Sequence, residues 1–122
     1  MEKQYSDVFG VEKPCGFRKC GIIGCGNVGA TTAYTLMQTG WFSEMVLIDL
    51  NSKKAEGEAA DLRHGLPFHT PMNIHAGNYS DLTDCGIIII TAGANQKPGE
   101  TRMDLLRTNT KIFRSIVNNI VI

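Results

Sequence analysis

The sequence predicts an α/β fold in which a doubly wound parallel sheet of about four strands lies between helices. Short apolar runs alternate with longer helix-like segments along the chain. The clearest run, Ile87-Ile88-Ile89-Ile90, is continuously β-branched, as expected for a strand that helices bury on both faces. A second run, at about 18–23, leads directly into a glycine-rich turn and then a helical pattern. Strand, glycine turn and helix in this order are typical of a ligand-binding sheet edge.

The composition is that of one ordinary globular domain. The 122 residues are 43% hydrophobic and 20% charged, enough for a modest core. The 12 Lys and Arg balance 12 Asp and Glu without a long basic run, so neither nucleic acid nor an anionic membrane is indicated as a partner. The apolar runs are too short to cross a bilayer. Residues 1–17 are polar, irregular and unlike a signal peptide; we interpret them as an N-terminal extension and expect a cytoplasmic protein.

The glycine turn is the first candidate functional site. It reads Gly24-Cys25-Gly26-Asn27-Val28-Gly29. Gly24 permits a tight turn, Gly26 lets the backbone approach a phosphate without an intervening Cβ, and Gly29 lets helix and strand pack closely. The N–H groups at the helix start, where Asn27 stands, then meet the anion with the help of the helix dipole. The turn therefore predicts a pyrophosphate site.

An acidic residue follows the second predicted strand. The run at 45–48 leads directly into Asp49, which lies 20 residues beyond Gly29. A carboxylate at a strand tip accepts hydrogen bonds from the adenosine ribose hydroxyls and repels a 2′-phosphate, so NAD is favoured over NADP. The alternative is a solvated acid that opens a turn before Asn51.

The other elements follow from spacing and caps. A first helix is predicted over 28–39, capped by Gly40, with Trp41 and Phe42 covering its end. A second is predicted from Ser52, as its cap, to His64, with Gly65 as its stop. Its small-residue stripe faces either its own sheet or a second subunit. That stripe consists of Ala55, Ala59 and Leu62. A weak strand at 72–76 precedes the fourth strand, which is expected to lie beside the first.

Neither cysteine nor histidine spacing predicts a metal site. Cys15, Cys20 and Cys25 recur at every fifth residue, which is a poor match to tetrahedral metal sites, so we expect reduced thiols. The histidines share no ligand-like spacing and show no acid or nucleophile partner in the sequence, so structural roles are expected. They are His64, His69 and His75.

The stretch after the fourth strand carries a family resemblance. It reads Thr91-Ala92-Gly93-Ala94-Asn95-Gln96-Lys97-Pro98-Gly99-Glu100-Thr101-Arg102 and by itself indicates a polar loop at the binding edge. Together with the glycine turn, Asp49 and Asp61-Leu62-Arg63-His64-Gly65, it resembles the NAD-dependent L-lactate and malate dehydrogenases. The resemblance runs from about residue 18 to the last residue. It implies a partial Rossmann-like NAD-binding domain at 18–122, with a substrate loop at 94–102.

The resemblance also implies roles for individual residues. Gln96 would separate substrates, because a neutral amide gives the second carboxylate of a malate-type substrate no counter-ion and so suits pyruvate and lactate. Arg102 would polarise the substrate carbonyl and stabilise the developing alkoxide. Further contacts with NAD would come from Val28, Lys54, Tyr79, Gly93, Ala94 and Ser115.

The family's proton-donating histidine, its paired aspartate and the arginine that binds the substrate carboxylate lie in the later half of the family chain. Residues 103–122 form a helical pattern whose stripe includes Leu105, Asn109 and Ile116 and which has no terminal cap. We therefore expect a fragment without its catalytic domain, inactive alone and prone to self-association through the fourth strand. For the parent, the resemblance implies a homotetramer active in glycolysis and pyruvate fermentation.

Two alternatives stay open at this stage, and a third is set aside. The first interpretation is an L-lactate dehydrogenase segment; its rivals are a malate dehydrogenase segment and a non-catalytic dinucleotide-binding module. Methyltransferases that use S-adenosylmethionine share a glycine turn and a strand-end acid, but the loop at 91–102 has no place in them.

Overall fold

The computed structural model describes residues 18–121, so the predicted extension at 1–17, with Cys15, lies outside the described residues. Four strands and three α-helices follow in the order expected. They are β1 (Lys19–Ile23), α1 (Asn27–Thr39), β2 (Glu44–Ile48), α2 (Ser52–Gly65), β3 (Asn73–Ala76), β4 (Ile87–Ile90) and α3 (Arg102–Ile120). Short 3₁₀ helices cover Leu66–Phe68 and Tyr79–Leu82. No helix in the described part is long and apolar enough to cross a membrane.

The strands form one parallel sheet in the order β3-β2-β1-β4. Ile22 of β1 pairs with Leu47 of β2 on one side and with Ile89 of β4 on the other. The first and fourth strands are therefore neighbours, as predicted. Because all pairings are parallel, the carboxyl ends of the strands lie along one edge, and the chain reverses direction across the sheet between β1 and β4.

Helices cover both faces of this sheet. On one face, α1 and α2 pack on Cys20, Ile22 and Leu47, mainly through small or flexible side chains. On the other face, Ile116 of α3 packs with Ile23 and with other strand residues. The alternation of neighbouring residues between two cores is the pattern of a strand buried on both faces. The predicted Rossmann-like doubly wound architecture is confirmed.

The end of α1 follows the predicted chemistry with one exception. Gly40 caps the helix in the left-handed region, at φ 70°, a conformation that favours glycine. Phe42 is buried in the α1–α2 core. Trp41, predicted to cover the helix end beside it, is instead 71% exposed. Its backbone N–H donates to Thr39 Oγ1 at 3.2 Å, and its ring lies outside the core.

Both predicted boundaries of α2 need correction. The N-cap is Asn51 and not Ser52, which is the first helical residue. Gly65 is the last residue of the helix rather than a stop, because its φ of −84° is ordinary and the chain continues into the 3₁₀ turn that contains Pro67. The stripe of Ala55, Ala59 and Leu62 is buried against its own sheet, which was one of the two alternatives left open.

An ionic cluster lies where the strands begin. Lys19 is buried, and its Nζ lies 2.8 Å from Asp84 Oδ1 and 3.7 Å from Glu44 Oε1. The hydrogen bond to Asp84 raises the pKa of Lys19, and the same bond lowers the pKa of the Asp84 carboxyl. His75 Nε2 lies 2.9 Å from the same Glu44 oxygen. The sequence showed no acidic partner for His75, and that interpretation was wrong because the partner lies 31 residues away on the neighbouring strand.

Strand β4 is less buried than its composition predicted. Ile87 is 40% exposed, and the other three residues are half-buried. Ile88 and Ile90 pack on the core beneath α3, whereas α1 and α2 cover mainly the other three strands. As the last strand in the sheet order, β4 pairs only with β1 within the described residues.

The outer edge of β4 generates a prediction for the 122-residue polypeptide. We expect Ile87→Lys to lower self-association, because a charge on an exposed strand edge opposes edge-to-edge pairing. Light scattering across a concentration series measures this. Asn73→Lys, at an exposed position of the opposite outer strand, is the matched control and should leave the mass unchanged. A monomeric unsubstituted chain at high concentration would contradict the prediction.

Candidate functional site

The glycine turn joins the ends of three strands. Gly24 has φ 99°, a left-handed conformation in which a side chain would be strained. Its N–H donates to Ile48 O at the end of β2, at 2.7 Å. Its carbonyl accepts the Thr91 hydroxyl from the end of β4, at 2.8 Å. The turn is thus fixed to both neighbours of β1, which makes its shape a property of the sheet.

The other two glycines differ sharply in their surroundings. A Cβ on Gly29 would overlap the carbonyl oxygen of Gly24 and lie 2.7 Å from Thr91 Oγ1, so close packing of helix on strand requires glycine here. A Cβ on Gly26 would meet no atom within 4 Å. Gly29 therefore serves packing, and Gly26 borders open space at the start of α1.

The start of α1 is free to receive an anion. Gly26 is the N-cap, no side chain caps the helix, and no acidic residue lies in its first turn. Backbone N–H groups and the positive end of the helix dipole remain at the open space beside Gly26. These features fit a pyrophosphate group. Asn27 and Val28 form this helix start, and Val28 is 69% exposed there.

Asp49 lies beside the turn and contacts it directly. One carboxylate oxygen accepts the Cys25 N–H at 2.8 Å, and the other accepts the Asn51 N–H at 2.9 Å. A carboxylate has about four lone-pair positions, so two remain for ribose hydroxyls. Asp49 is half-buried. Its bond to the Asn51 N–H is that of an acid that opens a turn, as the alternative has it, while its bond to the Cys25 N–H also fixes it to the glycine turn.

The cysteine in the turn is a buried thiol. Burial is the main cause that raises the pKa of Cys25 to about 11, and the Asp49 carboxylate adds to it. Burial likewise raises the pKa of Cys20 to about 12. Cys20, Cys25 and Cys85 are free thiols. Across residues 18–121 no group of three His, Cys, Asp or Glu side chains is placed to hold a metal ion.

The loop after β4 has an internally bonded tip. Gln96 Nε2 donates to the carbonyl of Glu100 at 2.7 Å, and the Lys97 N–H donates to the Glu100 carboxylate at 2.9 Å. Pro98 and a left-handed Gly99, at φ 80°, form the turn between them. The Gln96 side chain therefore has a defined position, and the bond to Glu100 uses its amide nitrogen and not its side-chain oxygen Oε1.

Arg102 is the first residue of α3 and is exposed. Thr101 precedes it as the N-cap: its hydroxyl accepts the Asp104 N–H at 3.2 Å, and the Asp104 carboxylate accepts the Thr101 N–H at 3.2 Å. This capping box fixes the point where loop becomes helix. The guanidinium thus extends from an ordered backbone at the end of the loop.

The remaining predicted cofactor residues occupy different surroundings. Lys54 is exposed in the first turn of α2, and Ser115 is exposed in the second half of α3. Tyr79 is half-buried against the α3 core. Gly93 and Ala94 follow β4 at the same sheet edge as the turn. The structure joins the glycine turn to Asp49 and to Thr91 at this edge, and residues 93–94 follow Thr91 in the chain. The NAD contacts of all these residues stay predictions.

Two structural residues at the site were missed from the sequence. Thr91 bonds the glycine turn, and the Asn109 side chain accepts the Ala94 N–H at 2.8 Å. A signal was present for each: a hydroxyl residue directly after a buried strand, and an amide within an apolar helical stripe. Neither signal names its partner, because both partners are distant in the sequence.

A doubly wound sheet, a glycine turn before an open helix start and an acid at the next strand tip define a dinucleotide-binding domain of the Rossmann type. Known proteins specify the family. Residues 18–122 match the family described as lactate/malate dehydrogenase, NAD binding domain, and the chain belongs to it. NAD as the cofactor is thereby confirmed at the level of the family.

Relatives support the same assignment. The L-lactate dehydrogenase of Acetivibrio thermocellus is 57% identical over 85% of this chain, and that of Priestia megaterium is 54% identical over 85%. The solved structure of a lactate dehydrogenase from a deep-sea metagenome library superposes with a TM-score of 0.82, at 48% identity over 85% of this chain and 33% of that one. The malate dehydrogenase of Archaeoglobus fulgidus, solved with NADH, gives 0.77 at 38% identity over 84% of this chain and 36% of that one. The chain spans about a third of the length of these curated relatives.

The contrast between glycines predicts opposite effects on stability. Gly29→Ala should lower the free energy of unfolding by about 1–3 kcal/mol, because its Cβ would overlap the Gly24 carbonyl. Gly57→Ala is the matched control. It lies within α2 with nothing within 4 Å of the new Cβ, and should raise stability by about 0.5–1 kcal/mol. Urea unfolding measures both, and equal effects of the two substitutions would refute the packing role of Gly29.

Proposed function

We propose that the gene product containing this chain is an L-lactate dehydrogenase that interconverts pyruvate and L-lactate, and that these residues supply its NAD-binding part and substrate loop. The observation that carries the proposal is Gln96, held by Glu100 in a loop that leads directly to Arg102. The close relatives named L-lactate dehydrogenase support it. Similarity to malate dehydrogenase structures keeps that activity as the second candidate.

In this proposal the cofactor lies along the carboxyl edge of the sheet. The backbone from Gly24 to Gly29 and the open start of α1 would bind the pyrophosphate, while Asp49 would accept the ribose hydroxyls. Val28 would contact NAD, and Lys54 and Tyr79 would lie near its adenosine half. Gly93 and Ala94 would line the groove, and Ser115 would lie towards the nicotinamide. NAD supplies the hydride acceptor or donor when bound.

In this proposal Arg102 acts through its positive charge and Gln96 through the lack of one. The Arg102 guanidinium would stabilise negative charge on the substrate oxygen more strongly as it develops than in the ground-state carbonyl. Gln96 would offer a neutral amide where a malate-type substrate needs a cation. None of the three described histidines lies in the loop that contains Gln96 or beside Arg102 in the sequence. His64 is at the end of α2, His69 follows the next 3₁₀ turn, and His75 is in β3. We therefore propose that the 122-residue polypeptide binds cofactor without turning over substrate, because proton donation needs a positioned acid.

Cofactor binding by the polypeptide tests the turn. We expect Gly26→Ala to weaken binding of NADH or ADP-ribose about tenfold, because the new methyl group enters the space beside the helix start. The unfolding midpoint should fall only slightly: φ −74° suits alanine and the space is open, although alanine is a poorer N-cap than glycine. Calorimetry measures the affinity, with Gly57→Ala as control. Unchanged affinity in Gly26→Ala would remove the turn from the proposed site.

Substrate discrimination tests the whole proposal. In the gene product containing this chain, we expect pyruvate to be reduced with a higher kcat/KM than oxaloacetate. Gln96→Arg should shift the ratio of the two constants towards oxaloacetate by roughly 10- to 100-fold, the equivalent of about 1.5–3 kcal/mol for a hydrogen bond between charged groups.

A neighbouring substitution controls for charge alone. Asn95→Arg adds the same charge at an adjacent exposed position and should change the ratio far less. An unsubstituted gene product that prefers oxaloacetate would establish the malate reading instead. One that binds NADH and reduces neither substrate would favour the non-catalytic module. A homotetramer active in pyruvate fermentation belongs to the proposal and rests on the family resemblance alone, while the proposed cytoplasmic location rests on the composition of the sequence.

A further inference from the structure

The substrate loop is tied to α3 at a point outside its proposed substrate residues. The Ala94 N–H donates to Asn109 Oδ1 at 2.8 Å, across 15 residues of sequence. Gly93 lies against the same amide, since a Cβ there would be 3.5 Å from Asn109 Oδ1. One side chain of α3 thus contacts the two residues proposed to line the dinucleotide groove.

Asn109 lies on the same side of α3 as Arg102, within an apolar stripe. Asn109 follows Arg102 by two helical turns, so both residues lie on the same side of the helix. The neighbours of Asn109 in this stripe are apolar, and Ile112 and Ile116 pack on the sheet. A half-buried amide among apolar residues costs free energy unless it is hydrogen-bonded. Here its oxygen accepts the loop N–H.

The tether also defines which part of the loop is free. Towards the helix, the Thr101–Asp104 capping box fixes the loop end. The tip is closed by the bonds from Gln96 and Lys97 to Glu100. Between Ala94 and Thr101 the exposed residues have no described bond to the rest of the fold. The tip therefore lies between two fixed points: Ala94, which is bonded to Asn109 of α3, and Thr101, which caps α3.

We propose that Asn109 is a positioning residue: it holds the Gly93–Ala94 wall of the cofactor groove in register with the helix that begins at Arg102. The inference rests on the proposed function, since it links the cofactor wall to the substrate-facing arginine. Losing the Asn109 acceptor leaves Ala94 free to move relative to Arg102, so cofactor affinity and substrate use both decline.

Three variants of the gene product test this role. Asn109→Leu removes the acceptor while keeping a similar volume, and Asn109→Asp keeps an acceptor oxygen. Asn118→Leu makes the first change at an exposed position of the same helix. The readouts are hydrogen exchange of the Ala94 amide, the Kd for NADH, kcat and KM for pyruvate, and the unfolding midpoint.

We expect Asn109→Leu to speed Ala94 exchange about tenfold and to weaken NADH binding by a similar factor, as loss of one hydrogen bond implies. The KM for pyruvate should rise, while the unfolding midpoint stays or increases because leucine packs with its apolar neighbours. Asn109→Asp should restore slow exchange and NADH affinity, and Asn118→Leu should change neither. A purely structural role would lower the midpoint without this rescue.

The outcomes separate the two proposals. If the unsubstituted protein binds NADH and reduces pyruvate, but Asn109→Leu leaves Ala94 exchange and NADH affinity unchanged, the positioning role is refuted alone. If the unsubstituted protein fails to bind NADH, the proposed function is refuted and the positioning role with it.

Discussion

The close approach of α1 to the end of β1 is the constraint on which the site depends. It requires that Gly29 carry no side chain, because the carbonyl of Gly24 fills that space. The same carbonyl accepts the Thr91 hydroxyl, and the Gly24 N–H donates to Ile48. One turn therefore connects three parallel strands. The N–H groups of Gly24 and Cys25 are bonded to Ile48 and Asp49, whereas the helix start that follows has no side-chain cap and borders the open space beside Gly26.

The acidic residues are placed differently at the starts of α1 and α3. An acidic residue near a helix start normally stabilises it, and α3 uses Asp104 in that way. Helix α1 has no such residue, and the nearest acid, Asp49, bonds to Cys25 and Asn51 from the neighbouring strand end. The carboxylate thus reinforces the turn from one side and leaves the anion position unblocked. A binding site for a dinucleotide needs both features, a free helix start and an acid displaced from it towards the ribose.

Local chemistry explains which parts were predictable from the sequence. The glycine turn, Asp49 and the Gly40 cap depend on backbone conformation over a few residues, so spacing and residue type identify them. The exposure of Trp41 and the pairing of His75 with Glu44 depend on contacts between distant segments. The apolar run at 87–90 correctly predicted a strand, but the prediction that both faces are buried was wrong. Composition does not tell whether a strand is paired on one side or on both, and β4 is paired on one side within the described sheet. The N-cap of α2 moved by one residue for a related reason: Asn and Ser are both good caps, and here neither side chain makes the bond.

Asn109 shows the same limit at the site itself. Its place in an apolar stripe marks it as unusual, yet only the fold shows that its partner is the Ala94 N–H. Together with Thr91, it makes a continuous set of contacts from the glycine turn, through the end of β4, to the helix that bears Arg102. Each bond joins backbone to side chain, so the geometry does not depend on long flexible groups. These bonds connect the glycine turn and the base of the loop at 94–102 through α3 and the end of β4, whereas the described bonds of the tip that contains Gln96 stay within the loop.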